Sequence, residues 1–270
     1  MIVFVTGGAG FIGSNIVARL VEDRSLDVVV CDRLREADLG KWRNLSRHAI
    51  GDFVAPEDMF DWLEKRWRDV EAVIHMGAIS STTEPDADRI VQTNFGLSRD
   101  LFRWCADRQR RFIYASSAAT YGDAAQGFED RDDFESLAGL RPLNAYGWSK
   151  ALFDVFARRQ ADREYAPPQW AGLKFFNVYG PNEYHKVFNL GSGQARTFED
   201  LARAVFAAAG RPPQIDYIPM PAGLRDRYQY FTEARMERLA AAGYAGTFTS
   251  LEEGVGDYVR SYLATDDPYR

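Results

Sequence analysis

Cysteine and histidine are scarce in this sequence, which limits the chemistry that the chain can perform. Its 270 residues include two cysteines and three histidines. Cys31 and Cys105 lie far apart, and neither belongs to a CxxC motif or a Cys/His cluster. The sequence therefore offers neither a disulfide framework nor a Cys/His metal site. We expect a protein without a metal centre that works in the reducing cytoplasm.

An excess of basic charge and long apolar runs are also lacking. The chain carries 33 Lys and Arg residues against 39 Asp and Glu residues, a formal net charge of −6. A nucleic-acid surface needs a concentrated basic face, so we expect no nucleic-acid partner. The apolar segment Met1–Val5 meets Thr6-Gly-Gly directly, which makes it too short for a signal peptide or a membrane span. We therefore expect no membrane partner and favour chemistry on a small molecule.

Short apolar runs alternate with amphipathic stretches of helical length along much of the chain. Hydrophobic residues make up 46 % of the sequence, enough for one large core with a smaller lobe attached. The predicted strands are Ile2–Thr6, Val28–Cys31, Val70–His75 and Arg111–Ser116, and the predicted helices are Phe11–Val21, Pro56–Trp67 and Asp86–Arg108. This order predicts an α/β fold with a doubly wound parallel sheet of the Rossmann type.

A glycine-rich turn, Thr6-Gly-Gly-Ala-Gly-Phe-Ile-Gly13, joins the first predicted strand to the first predicted helix. Gly7 suits the tight turn, Gly10 lets the backbone approach a pyrophosphate, and Gly13 permits close packing of the helix on the strand. The helix N-terminus then faces the phosphates. An ordinary glycine turn is the alternative, but strand, helix and spacing together predict a dinucleotide site.

The simple alternation stops after a predicted helix at Asn144–Ala161 and a predicted strand at Trp170–Phe176. Further along, Thr197–Asp200 and Ser250–Glu253 have the pattern of capping boxes that start helices. We expect residues 1–176 to form the dinucleotide-binding Rossmann domain. Residues 177–270 are then expected to form mainly a smaller C-terminal, substrate-binding lobe.

The residues after the second predicted strand leave the choice of dinucleotide open. Asp32 ends that strand, where a carboxylate would accept hydrogen bonds from an adenosine ribose and favour NAD. Arg33 and Lys41 follow, and these cations could instead pair with the 2′-phosphate of NADP. The alternative for both cations is a solvated loop surface.

Tyr146 and Lys150 form a candidate catalytic pair, because a spacing of four residues puts both on one face of a predicted helix. The charge of Lys150 would favour the Tyr146 phenolate, and the ammonium could hold the nicotinamide ribose. Alone, this spacing more often marks a helix surface pair. Ser117 supports a catalytic interpretation, since it lies at a strand end, where open sheets bind ligands. We predict that Ser117 hydrogen-bonds the reacting oxygen while Tyr146 exchanges its proton.

These motifs resemble those of the extended short-chain dehydrogenase/reductase superfamily, with TGGAGFIG near the start, SSAATYG in the middle and YGWSK after it. Other strings resemble the ADP-L-glycero-D-manno-heptose 6-epimerase family, and the likeness runs through nearly the whole chain. Those strings are HMGAISSTTE from His75, FFNVYGP from Phe175, the pair His185-Lys186, and RYQYFT from Arg227.

The family resemblance implies an NADP-dependent epimerase whose substrate is an ADP-linked heptose. Tyr146 and Lys186 would handle protons, with Ser117 and Lys150 as their partners. Two acid/base groups suit an epimerase, because a ketone reduced from either face needs a proton delivered on opposite sides. Substrate contacts would come from Asn177 and Tyr228. The implied cofactor contacts are Phe11, Ile12, Asp32, Arg33, Lys41, Met76, Gly77, Ala78, Ile79, Ser80, Lys150, Val178 and Lys186, with Asn94 nearby.

The same resemblance implies a cytoplasmic homo-oligomer, with a pentamer as the implied assembly, that supplies heptose for the inner core of lipopolysaccharide. Two positions depart from the family pattern: Pro56 replaces a frequent cofactor-contacting lysine, and Met76 replaces a frequent glutamate. A larger departure follows Lys186, where relatives carry several dozen more residues of the nucleotide-sugar pocket. We expect that residues are missing between Lys186 and Val187, because the flanking motifs otherwise match.

Other functions stay open. Another nucleotide-sugar epimerase or a dehydratase would use the same fold, although dehydratases of the superfamily typically have Asp-Glu where this chain has Ala118-Ala119. A non-catalytic sensor that binds a dinucleotide is a third alternative, since fold does not prove function. The presence of Ser117, Tyr146 and Lys150 together argues against the sensor.

Overall fold

A computed structural model describes residues 1–34, 40–125, 127–176, 178, 194–220, 233–241, 243 and 246–265. Its centre is a six-stranded sheet in which every strand pair is parallel. The strands are β1 Ile2–Thr6, β2 Asp27–Cys31, β3 Asp52–Val54, β4 Val70–His75, β5 Arg111–Ser117 and β6 Trp170–Phe175. The predicted Rossmann sheet is therefore confirmed.

The strand order across the sheet is β3-β2-β1-β4-β5-β6. The chain winds outwards from β1 in one direction and then, through β4, in the other. A ligand crevice forms where this order reverses, outside the carboxyl ends of the strands. Thr6 and His75 are paired at that reversal point, and Ser117 ends β5 on the same edge of the sheet.

Nine α-helices connect or follow the strands in the part of the chain that the structure describes. Their bounds are α1 Phe11–Leu20, α2 Met59–Arg66, α3 Ala87–Ile90, α4 Leu97–Asp107, α5 Phe134–Gly139, α6 Ala145–Asp162, α7 Phe198–Ala208, α8 Glu237–Ala241 and α9 Leu251–Tyr258. The predicted helix at Asp86–Arg108 exists, but a π-helical turn at Val91–Gly96 interrupts it between α3 and α4. Three short elements, β3, α5 and α8, were not predicted from the sequence.

Alternate residues of the central strands enter two separate cores. Ile2 and Phe4 belong to an aromatic-rich core with residues of α2, α4 and α6, whereas Val3 and Val5 pack with Val17 of α1 on the other face. Both faces of β1 are buried, as expected for a strand between two layers of helices. Edge-to-face contacts of Phe102 with Phe112 and Phe153 tie α4, β5 and α6 together. The helix that carries Tyr146 is thereby held against the sheet.

The two predicted capping boxes are confirmed. Thr197 and Ser250 each accept a hydrogen bond from the backbone N–H three residues ahead, and the acidic side chain at that position accepts one from the backbone N–H of the cap residue. They start α7 and α9, which pack against each other. The expected substrate-binding lobe stays a prediction, because much of residues 177–270 lies outside the described ranges.

Within the described residues, both cysteines are free and buried, and burial raises the pKa of the Cys31 thiol to about 12. No cluster of three metal-ligating side chains occurs among those residues. None of the helices described is long and apolar enough to cross a membrane.

Candidate active site

The glycine turn between β1 and α1 has the geometry predicted for it. Gly7 adopts a φ of 67°, and a Cβ there would lie 2.6 Å from the Gly77 nitrogen. A Cβ on Gly13 would lie 2.1 Å from the Gly7 carbonyl oxygen, so only glycine lets α1 approach the turn. A Cβ on Gly10 would meet the same oxygen at 3.2 Å and Lys41 Cε at 3.9 Å, leaving the outer side open.

The start of α1 suits an anionic ligand. Gly10 is the N-cap residue and supplies no side chain to the backbone N–H groups of the first turn, which begins with Phe11 and Ile12. No acidic residue lies in that turn. A helix N-terminus of this kind carries a partial positive charge and free donors, which fit the pyrophosphate of a dinucleotide.

Asp32 lies beside this turn and accepts three hydrogen bonds. Its carboxylate receives the Ala9 N–H at 2.9 Å, the Arg33 N–H at 2.7 Å and the Lys41 ammonium at 2.6 Å. The negative charge of Asp32 is therefore paired within the protein. The Arg33 guanidinium is half-exposed and forms an ion pair with Glu57 at 3.2 Å.

A short 3₁₀ helix, Lys41–Asn44, seats Lys41 against the glycine turn. Asn44 is buried and donates its side-chain amide to the Ala9 carbonyl at 2.9 Å. The backbone of Ala9 is therefore held through its N–H by Asp32 and through its carbonyl by Asn44. Asn44 belongs to no recognisable sequence motif, so its contact with the glycine turn was not predicted.

The segment Met76–Ser80, the family's expected cofactor contact after β4, borders the same crevice. The Met76 N–H binds the Thr6 carbonyl at 3.1 Å, and the Gly77 N–H binds Thr6 Oγ1 at 3.1 Å. Asn94, in the π-helical turn, receives the Ile79 N–H at 2.8 Å and donates to the Ile79 carbonyl at 2.9 Å. Asn94 therefore holds this segment in place, consistent with its predicted position near the site. Ala78 is half-buried and Ser80 exposed.

His75 links the glycine turn to the π-helical turn through one directed chain of hydrogen bonds. Ser98 donates to the Asn94 carbonyl, so Ser98 accepts from His75 Nε2–H at 2.8 Å. Thr6 accepts from Gly77, so its hydroxyl donates to His75 Nδ1 at 2.6 Å. Complete burial lowers the pKa of His75 to about 3, with the Lys150 charge adding to the effect. The imidazole is therefore neutral, and it was missed because a lone histidine has no distinctive spacing.

Ser117 and Tyr146 meet at the carboxyl edge of the sheet, as predicted. Ser117 is buried at the end of β5, and its side chain hydrogen-bonds both the Tyr146 side chain and the Ala119 N–H. Asn144 caps α6 through the Gly147 N–H, which starts the helix just before Tyr146. Burial raises the pKa of the Tyr146 phenol, and the bond with Ser117 opposes that rise. The expected lowering of this pKa by Lys150 was wrong: burial raises the pKa, and Ser117 rather than Lys150 opposes the rise.

Lys150 follows Tyr146 by one turn of α6 and is 3 % exposed. Its ammonium donates to the Ala115 carbonyl at 2.8 Å. Burial lowers the pKa of Lys150 to about 8, whereas the charge of Asp154 raises it. The amine therefore lies against the end of β5, two residues before Ser117.

The structure does not test every predicted site residue. Lys186, Asn177 and Tyr228 lie outside the described residues, as does the junction of Lys186 with Val187. Val178 is described only as half-buried. The roles expected for these residues stay predictions. The sequence analysis did not identify Asp154 and Lys174, which form an ion pair next to Lys150. Asp154 continues the four-residue spacing of Tyr146 and Lys150 along α6.

Comparison with known proteins agrees with this arrangement. The model of the NAD dependent epimerase/dehydratase family matches residues 3–212. The ADP-L-glycero-D-manno-heptose-6-epimerase of Fusobacterium nucleatum is 38 % identical over 335 positions, covering 99 % of each chain. The enzyme of that name from Nitratidesulfovibrio vulgaris is 42 % identical over 328 positions, covering 98 % of this chain and 99 % of the relative.

A solved structure shows the same fold. The crystal structure of Helicobacter pylori ADP-L-glycero-D-manno-heptose-6-epimerase superposes with a TM-score of 0.75 at 24 % identity, covering 96 % of this chain and 95 % of that one. The family model matches most of the chain, and the two relatives are similar to it along almost their whole length. These two findings show the family of the chain. The chain belongs to the NAD dependent epimerase/dehydratase family and, within it, to the ADP-L-glycero-D-manno-heptose-6-epimerases.

Proposed function

We propose that this enzyme inverts C6 of an ADP-linked glycero-manno-heptose, with NADP as its cofactor, by transient oxidation to a ketone and re-reduction. The observation that carries the proposal is the identity of 38 % and 42 % to enzymes of that name over nearly their whole length. The hydrogen-bonded Ser117 and Tyr146, with Lys150 one helical turn away, supply the side chains that such a reaction needs.

The described residues fit a dinucleotide. Gly7, Gly10 and Gly13 shape the turn, and Asp32 and Lys41 lie where the adenosine end would bind. The remaining contacts would come from Phe11, Ile12, Arg33, Met76, Gly77, Ala78, Ile79, Ser80, Asn94, Lys150, Val178 and Lys186. A nicotinamide dinucleotide, when bound, accepts a hydride from the sugar carbon and can return it.

Proton transfer is the work of the chain's own side chains. As hydride leaves the carbinol carbon, its hydroxyl proton must pass to a base, and it must be returned when the ketone is reduced. Ser117 would hydrogen-bond the reacting oxygen, and Tyr146 would exchange the proton. Lys150, one helical turn away, would stabilise the negative charge that develops on the phenol oxygen as the proton moves.

Inversion needs a proton donor on each face of the ketone. We assign Tyr146 to one face and Lys186 to the other, with Asn177 and Tyr228 as substrate contacts. The support for this assignment is the match of the His185-Lys186, Phe175–Pro181 and Arg227–Thr232 strings to the family. A single proton-transfer group would suit oxidation in one direction only.

NADP over NAD is proposed from the charges around Asp32. A free carboxylate at this position would repel a 2′-phosphate, but the Asp32 carboxylate already accepts hydrogen bonds from Lys41 and two backbone N–H groups. Arg33 adds a half-exposed guanidinium that can reach an anion at the surface.

We further propose a cytoplasmic homo-oligomer, a pentamer, that supplies heptose for the inner core of lipopolysaccharide. We also propose residues 1–176 as the dinucleotide-binding domain and residues 177–270 as mainly the substrate-binding lobe. The support for a missing part of that lobe is the alignment over 335 positions, which is 65 more than the 270 residues of this chain.

The direct test is to incubate the purified protein, loaded with NADP, with either C6 epimer of the ADP-linked heptose and to follow their interconversion by chromatography. We expect both epimers to reach the same equilibrium mixture. Matched reactions with a UDP-linked hexose test another epimerase activity, and release of water from the sugar would indicate a dehydratase. Binding of the dinucleotide without turnover of any sugar would favour the sensor and contradict the proposal.

A further inference from the structure

Asp154 is a buried carboxylate on the helix that carries Tyr146 and Lys150. It follows Lys150 by four residues and Tyr146 by eight, so all three lie on one face of α6. Asp154 is 4 % exposed. A carboxylate this deep stays charged only when a cation or several donors compensate for the lost water.

Three side chains supply that compensation. Tyr114 Oη donates to one carboxylate oxygen of Asp154 at 2.8 Å. Ser116 Oγ at 2.8 Å and Lys174 Nζ at 2.7 Å donate to the other. Tyr114 and Ser116 flank Ala115, whose carbonyl accepts the Lys150 ammonium. Asp154 thus attaches α6 to the residues of β5 that lie directly before Ser117.

The charges around Lys150 come from several packed elements. Tyr146 on α6, Tyr114 on β5 and His75 on β4 are neutral, because burial moves their pKa values away from the charged forms. Among the described groups, the charges near Lys150 are therefore the Asp154 carboxylate and the Lys174 ammonium, and these two influence the protonation of Lys150.

Lys174 is itself anchored. Its ammonium also donates to Thr120 Oγ1 at 2.8 Å and lies 4.9 Å from the centre of the Tyr121 ring. Its position next to Asp154 is therefore set by β6 and by the turn that follows Ser117. The ion pair joins α6, β5 and β6 behind the candidate catalytic group.

We propose that Asp154, paired with Lys174, is a positioning residue of the active site. It holds the end of β5 against α6, so that Ser117 meets Tyr146, and its negative charge keeps Lys150 in the ammonium form. The inference rests on the proposed function only for the catalytic importance of Lys150. The effect on Lys150 itself is a property of the protein without substrate.

The ion pair predicts opposite effects of two substitutions on the protonation of Lys150. Asp154→Asn removes the favourable charge and exposes Lys150 to Lys174, so the titration midpoint of Lys150 should fall by about one pH unit. Lys174→Met leaves Asp154 uncompensated, so the midpoint should rise, but by less than it falls in Asp154→Asn, because Asp154 is the charge that acts most strongly on Lys150. The measurement is NMR of isotope-labelled lysine in the full-length protein. Lys150, one of five lysines, is assigned by loss of its signal in Lys150→Arg.

Asp162→Asn is the matched control, because Asp162 lies at the exposed end of the same helix and pairs with Arg158. It should leave the midpoint unchanged. The double variant Asp154→Asn/Lys174→Met removes both buried charges and should fold even if a single variant does not. Its midpoint is expected below that of the parent and above that of Asp154→Asn. An unchanged midpoint in both the Asp154 variant and the double variant would overturn the proposal.

Activity supplies a second readout. If Lys150 must be protonated for turnover, the alkaline limb of the kcat profile should move to lower pH in Asp154→Asn. A purely structural role would lower the amount of folded enzyme without moving that limb. Absence of heptose epimerisation in the parent protein would contradict the proposed function, yet the NMR midpoints would still decide the role of Asp154.

Discussion

Lys41 and Asp32 form an ion pair of 2.6 Å at the edge of the glycine turn, with the Lys41 side chain largely shielded from solvent. Asp32 also accepts the N–H groups of Ala9 and Arg33. The carboxylate that would otherwise select for an unmodified ribose is therefore already bound by protein donors. A 2′-phosphate bound at this position would lie near the cations Lys41 and Arg33, and near a carboxylate whose charge Lys41 already compensates.

We therefore predict that the protein binds NADP more tightly than NAD and that Lys41→Ala removes most of the preference. The Kd for NADP should rise about tenfold, the effect of one charge-assisted hydrogen bond, with little change for NAD. Calorimetric titration of the apo protein with each dinucleotide measures both constants. Lys65→Ala, at the exposed end of α2, is the control and should change neither. Clearly tighter binding of NAD by the parent would contradict the assignment.

Substitutions of two glycines in the turn should separate binding from folding. Gly10→Val puts a side chain into the open space outside the turn, so we expect a folded protein that no longer binds a dinucleotide. Gly13→Ala puts a Cβ 2.1 Å from the Gly7 carbonyl oxygen, so we expect a lower Tm. Thermal unfolding and dinucleotide titration of both variants provide the comparison. Unchanged affinity in folded Gly10→Val would refute the pyrophosphate site.

The neutral His75 should make the protein less stable in acid. The unfolded chain binds a proton at the imidazole below pH 6.5, whereas the folded chain binds it only near pH 3. The unfolded state thus holds more protons between these values, and the free energy of unfolding falls as the pH falls through them. The contribution of one group is about 1.4 kcal/mol per pH unit.

His75→Asn should reduce the slope of the free energy of unfolding against pH by up to the contribution of one proton. The variant should also be less stable at pH 7, because the hydrogen bonds of the imidazole are lost. Denaturant unfolding of the parent and the variant between pH 4 and pH 7 gives the two slopes. The carboxylates contribute equally to both proteins, so the difference isolates His75. Parallel slopes would show that the folded imidazole takes up a proton as easily as the unfolded one.

Tyr146→Phe and Lys186→Met should each abolish most of the epimerisation while the dinucleotide stays bound. General acid–base groups contribute about 100-fold to 10,000-fold to such rates, and each face of the ketone needs its own. The assay follows interconversion from either heptose epimer. Tyr165→Phe, a phenol on the surface that donates to Asp107, should leave the rate near normal. A normal rate in Lys186→Met would remove that lysine from the mechanism.

We also predict that the natural protein is longer than 270 residues, by a segment between Lys186 and Val187. The relative from Fusobacterium nucleatum aligns over 335 positions, so at least 65 of them have no counterpart in this chain. The mass of the intact protein, purified from its native source, measures the difference. A mass equal to the 30.6 kDa of this sequence would show that the deletion is real.

The sequence by itself determined the sheet, the glycine turn and the alignment of Tyr146 with Lys150. These features depend on short-range rules: buried strands need apolar runs, a tight turn needs a positive φ at Gly7, and a helix places every fourth residue on one face. The short strand β3 escaped prediction because three residues carry too little periodicity to distinguish them from a loop.

Only the tertiary structure decided which distant polar groups meet. Asp154 lies forty residues from Tyr114, and Asn44 lies thirty-five from Ala9, so no spacing in the sequence joins them. The protonation of His75 and Tyr146 likewise depends on how completely the surrounding chain excludes water. The packing of the sheet and helices decides which polar groups are buried and which hydrogen-bond partners they find. The sequence decides only which residue types are present to be buried or paired.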